Sequence, residues 1–206
     1  MSGAFPISTA KFGTLGIKSI QNTIISKSVS GKRLVRQIDN QRFAFTVQII
    51  TGTRSSTYGE LMAFIMKQRG QKETFTIIPP EIEDARGNET GTVLVNGVHA
   101  VGDTTIACDA FAGDGAGRFK AGDFLKFASH TKVYMVVSDV TSSSNAATVT
   151  IEPPLITALA DDSVVLYDNV PFTVHLTNDM QEFGVSGSDK DGNLYYEYQF
   201  DVEEAL

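Results

Sequence analysis

Several stretches of this chain hold residue types that could do chemistry, and each has to be weighed against a plain structural use. Gly113-Asp114-Gly115-Ala116-Gly117 has the glycine density of a phosphate cradle, in which consecutive backbone N–H groups wrap an anion. It lacks the G-x-x-x-x-G-K-[ST] pattern and the G-x-G-x-x-G spacing. The residues just beyond it, Phe119-Lys120-Ala121-Gly122-Asp123, lead into a strand and not a helix, so the run reads as a flexible loop. Asp189-Lys190-Asp191-Gly192 begins like a calcium loop, but it has no terminal Glu ligand or flanking helix, and a hairpin turn is expected. Asp161-Asp162 could hold a cation at a barrel rim, but two adjacent carboxylates are more often a solvated turn. His99, His130 and His175 are widely spaced, with no H-x-H or H-E-x-x-H pattern, and Ser142-Ser143-Ser144 has no G-x-S-x-G elbow. The single cysteine, Cys108, excludes an intramolecular disulfide and a cysteine-built zinc site. No catalytic, cofactor-binding or metal-ligating residue is assigned, no cofactor is expected, and the chain is not expected to be an enzyme.

The elements that would position such residues are mostly strands. In Arg42–Ile50, Phe43, Phe45, Val47 and Ile49 alternate with Ala44, Thr46 and Gln48, the period of a half-buried strand. Near the C-terminus, Tyr196, Tyr198, Phe200 and Val202 alternate with Tyr195, Glu197, Gln199 and Asp201, which sends the first set to a core. Residues 23–30 and 33–38 read as two strands about Gly31-Lys32, with a further turn at Asp39-Asn40, and residues 1–20 read as an extended arm with room for one short strand. One helix is expected, over residues 57–69. Thr57-Tyr58-Gly59-Glu60 matches a capping box, Tyr58, Leu61, Met62 and Ile65 share a face, and Gly70 supplies a stop. The run Leu61–Met66, including Phe64, is apolar on nearly every side, which suggests burial on more than one face.

After Pro79-Pro80 and a polar linker, Glu81–Gly91, the texture changes to short strands and frequent turns up to Tyr167. The expected organisation is mainly β: a β-sandwich domain with one α-helix (residues 1–86 plus 168–206), interrupted by an inserted small β-barrel, of OB-like type, over residues 87–167.

Hydrophobic residues make up 42% of the 206 and charged residues 20%, enough for a packed core. No 18-residue apolar window exists, and MSGAFPISTAKFG lacks the charged-then-apolar order of a secretory signal, so synthesis and folding in a reducing cytoplasm are expected. The net charge of −7 argues against a nucleic-acid binder, yet it is unevenly spread. Residues 1–54 carry eight basic side chains and one acid, whereas residues 55–206 carry nine basic and 23 acidic ones. Such a split can make a chain bind itself, within or between copies, or can simply keep edge strands soluble.

Six strings then point to a family. MSGAFP, SGKRLVRQIDNQRFAFTVQI and a helix ending KQRGQKETFTIIPP resemble the N-terminal part of distal tail and minor tail proteins of long-tailed bacteriophages. RFKAGDFLKFASHTKVYMVVSDV with ATVTIEPPL is similar to the β insertion of such proteins, and NVPFTVHLTNDMQEFGVSGSD with the last aromatic strand to the return into their first domain. The resemblance implies a ring-forming adaptor, commonly a hexamer, at the distal end of the tail in the virion. It would join the tail tube protein to the hub and receptor-binding proteins and have no catalytic residues. Lys32, Arg33 and Arg36, with Tyr58, Leu61, Met62, Phe64 and Ile65, are the expected contacts between copies. A tube or tail-completion subunit, or a carbohydrate-binding module using Phe111, Phe119, Phe124, Phe127 or Tyr134, stays open beside it.

Overall fold

The computed structural model describes residues 2–8, 11–38 and 40–206. It is mainly β, with one α-helix and a barrel inserted into a host sheet. The chain opens with β1 (Phe12–Ile20), the exposed hairpin β2 (Thr23–Lys27) and β3 (Arg33–Gln37), and the long strand β4 (Arg42–Thr53). A single π-helical turn, Arg54–Tyr58, leads into α1 (Gly59–Gln68), and β5 (Thr74–Ile77) comes next. The inserted part holds β6 (Leu94–Val95), β7 (Thr105–Asp109), β8 (Gly115–Ala116), β9 (Phe124–Phe127), β10 (Val133–Val136), β11 (Thr141–Ser142), β12 (Ala147–Glu152) and β13 (Val165–Leu166). The chain then returns through β14 (Phe172–Leu176), β15 (Gly184–Ser188) and β16 (Leu194–Glu204).

The host sheet runs β1-β4-β16-β14-β5, with β15 beside the first half of β16. Its centre is β4 against β16, the two segments with the clearest period-2 alternation, and Phe45, Val47, Tyr198, Phe200 and Val202 are all buried as that alternation requires. The layer packed on this sheet is α1 with the N-terminal arm. Ser2–Phe5 lies parallel along β5, with the Ser2 and Phe5 N–H groups donating to the Thr74 and Thr76 carbonyls, both at 2.7 Å. Phe5 is thereby set against Phe64, Phe75 and Phe200, at ring centroid separations of 5.5–6.1 Å.

Several local expectations change. The arm does not stay irregular, because residues 12–20 form a nine-residue strand. Its periodicity is weak since it is an edge strand with only Phe12, Leu15 and Ile20 partly covered. Thr57 does not cap α1, which has no side-chain cap hydrogen bond. The π turn already holds Tyr58 in the right-handed helical region, the Gly59 N–H donates to the Arg54 carbonyl, and the Thr57 hydroxyl accepts from Lys11 Nζ at 3.0 Å. At the other end Arg69 takes the left-handed conformation (φ 57°) ahead of Gly70. The turn expected at Asp39-Asn40 involves Asp39, which lies outside the described residues.

The inserted sheet runs β13-β9-β10-β12-β7-β6 and closes on itself. A bridge joins Leu94 to Val164, and the Val95 and Val165 N–H groups donate to the Ser163 and Val93 carbonyls, both at 3.0 Å. The glycine run 113–117 is ordered and not a loose loop. β8 pairs with β11, and the Asp114 carboxylate accepts from the Ser144 and Asn145 N–H groups at 2.9 and 2.7 Å. The linker is likewise built in. The buried Glu89 carboxylate takes the Gly91 and Ala112 N–H groups at 2.7 and 2.9 Å and faces Arg118. The aspartate turn behaves as expected: Asp189 Oδ1 accepts from the Asp191 and Asn193 N–H groups, closing the β15–β16 hairpin.

Burial pushes the Cys108 thiol and the Tyr134 and Tyr167 phenols up to about 12. A raised folded-state value gives stability that is complete below the unfolded value, about 8.5 for a thiol and about 10 for a phenol, and is lost as pH rises through 12. Lys126 and Lys132, pushed down by burial, act with the opposite sign up to about 10.4. The expected result is an unfolding midpoint that falls most steeply between about pH 10.4 and 12, followed by circular dichroism during heating. A midpoint that keeps rising across that interval would contradict the assignment.

Candidate assembly surface

The barrel sits on the host through β9 and β10. All four residues of β9 are buried, because the strand is covered on both faces. Leu125 and Phe127 point into the barrel, while Phe124 joins the host core with Val133. Phe124 meets Phe43 and Phe172 at centroid separations of 5.3 and 5.7 Å, so one apolar core continues across the junction.

A charged cluster lies within that junction. The Lys132 ammonium is paired with the Glu204 carboxylate, and neither side chain touches solvent. Lys132 Nζ also donates to Gln41 Oε1 at 3.1 Å and stands 4.6 Å from the Phe43 ring centroid. Glu204 accepts further from the backbone N–H of Val133 at 2.8 Å and of Phe43 at 3.1 Å. The carboxylate of the last host strand thus holds one N–H from the barrel and one from the host. Nearby, Lys126 donates to the Pro171 carbonyl at 3.2 Å. On the other side of the junction the two crossing segments pair. Ala85 N–H donates to the Tyr167 carbonyl, Val170 N–H to the Glu83 carbonyl and Asn169 N–H to the Asp84 carboxylate, each at 2.9 Å.

Sequence motifs do not single out this cluster. One signal for it exists: continuing the inward set Tyr196, Tyr198, Phe200 and Val202 by two residues places Glu204 inside. Nothing local to Lys132 announces its partner, which is 72 residues away.

The residues expected to join copies divide sharply. Lys32, Arg33 and Arg36 are exposed on the β2–β3 hairpin. Tyr58, Leu61 and Ile65 are instead consumed inside the chain at 0, 0 and 2% exposure, with the Tyr58 hydroxyl donating to the Ile50 carbonyl at 3.1 Å. Met62 and Phe64 are half-covered by the same core, where Phe64 meets Phe75 at 5.3 Å. The core takes Leu61 and Ile65 and partly covers Met62 and Phe64, while Glu60, Ala63, Met66 and Lys67 form the solvent side, where Met66, 75% exposed, is the one large apolar side chain.

The remaining motifs are structural. His99 Nε2 accepts from the Ala107 N–H at 3.2 Å, buried His130 contacts the Tyr134 hydroxyl at 3.2 Å, and Asp161 accepts from the Gly97 N–H at 2.6 Å. Among the described residues no group of three or more His, Cys, Asp or Glu could hold a metal ion. Among them, too, no helix is long and apolar enough to cross a membrane. Phe111, Phe119, Phe124, Phe127 and Tyr134 are all buried, so none of them is a platform for a sugar ring.

A mainly-β host with an inserted, nearly closed barrel agrees with the fold that the resemblance implies. Residues 83–170 match the family model of the distal tail protein pb9, B domain, and these bounds begin and end on the paired crossing segments. The match supports a distal tail protein of a bacteriophage, a structural protein of the virion tail. A search of the curated proteins returns no match.

Removing one member of the buried pair leaves the other charged and unpaired. Lys132→Met or Glu204→Gln alone is expected to lower stability by about 3–5 kcal/mol. Lys132→Met/Glu204→Gln removes both charges and keeps an acceptor for one of the two N–H groups, which approach different carboxylate oxygens, and should lose clearly less than the sum. A urea-unfolding double-mutant cycle measures this, and strictly additive losses would refute the coupling.

Proposed function

We propose that the chain is a non-enzymatic distal tail adaptor. Copies form a ring, a hexamer by resemblance, that joins the tail tube to the hub and receptor-binding proteins. The observation that carries the reading is the match of residues 83–170 to the B domain of a distal tail protein, on a barrel fixed to its host by a buried ion pair and a shared core. A ring at a tube end needs subunits that keep one shape while bearing load between neighbours. Buried polar pairing across the junction, added to apolar packing, serves that need because turning the barrel would leave a lysine and a carboxylate buried without partners.

A tube subunit or tail-completion protein is the alternative, and position in the virion separates the two. Antibody-gold labelling of intact particles, viewed by electron microscopy, is expected to mark one level at the end of the tail away from the capsid. Label repeated along the tube, or placed at the capsid junction, would refute the adaptor role.

A further inference from the structure

The β2–β3 hairpin is the least covered part of the chain. It forms a two-stranded sheet of its own, and all ten residues in its strands are exposed. It is also apolar on both faces. Ile25 stands opposite Val35 on one, and Ile24 with Leu34 lies on the other, each 51–55% exposed. An isolated ribbon of this size is marginal in water, and apolar residues on both sides call for cover. Its charge is equally incomplete. Residues 23–38 hold Lys27, Lys32, Arg33 and Arg36 and no acid. The register sets Lys27 directly opposite Arg33, a like-charge cross-strand pair that destabilises a ribbon. None of the four cations has an ion pair with a described residue.

The rest of the chain supplies the opposite sign, with thirteen basic residues against all 24 acids. The host sheet has three edges to consider. The β5 edge is covered by Ser2–Phe5, and the β1 edge carries Lys18, which would repel the hairpin. The third is β15, which pairs with β16 alone. Its sequence, Gly-Val-Ser-Gly-Ser, lacks the Lys or Pro that usually guards an edge. Val185 is 53% exposed, and Glu182, Asp191 and Glu197 are exposed around it, outnumbering the exposed Lys190 of the turn. The register also separates donor and acceptor. Ile20, from which the hairpin departs, pairs with Arg42 at one end of β4, whereas β15 lies beside Tyr195 and Tyr196, which pair with the other end of β4. The two patches occupy diagonally opposite corners of the sheet.

We infer that the β2–β3 hairpin of one copy docks on the β15 edge of a second copy, its four cations meeting the acidic residues beside that edge. Two different patches make the contact head-to-tail, so every copy gives and receives once, as a closed ring requires. The inference rests on the ring reading above and names its surface.

Full-length protein, half of it labelled with nitrogen-15, is concentrated at low salt and treated with a carbodiimide, which couples lysine to carboxylate at zero length. Mass spectrometry is expected to find mixed-isotope peptide pairs joining Lys27 or Lys32 to carboxylates between Glu182 and Glu197. Sedimentation of K27E/K32E/R33E/R36E, whose substitutions are all exposed, should show self-association weakened by about tenfold or more. Mixed pairs that join the hairpin lysines elsewhere, or a variant that associates as wild type does, overturns the hairpin contact. Wild type that stays monomeric up to millimolar concentration overturns it too. In each case the position on the tail, read by gold labelling, stands or falls separately.

Discussion

A lysine and a glutamate that touch no solvent hold the two parts of this protein in one arrangement. Charges taken out of water are unfavourable unless their geometry is fully satisfied, and here it is. The Glu204 carboxylate takes an ammonium and two backbone N–H groups, and Lys132 adds an amide oxygen and an aromatic face. Because the acceptors and donors come from both parts, the cluster works only in one relative placement. The apolar contacts of Phe43, Phe124 and Phe172 supply much of the attraction, but such contacts tolerate sliding; the charged cluster does not.

That fixed junction shapes the use of everything else. With β9 covered on both faces, the barrel presents its loops and its far side to solvent, while its aromatic residues fill its interior or the junction. In the host, α1 and the arm close over the sheet, so the strongly apolar segment that resembles a spare contact face is already used. The β2–β3 hairpin is left uncovered, with cations that pair with no described acid and apolar residues on both faces. Burial and exposure therefore fall on different segments. The helix contributes to the core of the subunit, and the hairpin strands stay in solvent.

The sequence by itself determined the features that rest on local periodicity. β4 and β16 alternate because one face of each meets a core, and that alternation is written in consecutive residues. The Asp189–Asn193 turn, the single helix, the change of texture after Pro80 and the uneven charge were legible for the same reason. Only the tertiary structure decided which elements use those features. β1 is a strand because β4 offers it an edge, and not because of its own pattern. Thr57 fits a capping box, yet a π turn and Lys11 engage it differently. The glycine run 113–117 is held by Thr141–Asn145, well along the chain. Lys132 and Glu204 stand 72 residues apart, and the field that makes each acceptable inside exists only once the barrel has closed and seated on the host sheet. Spacing along a chain encodes faces; it does not encode which distant face arrives to meet them.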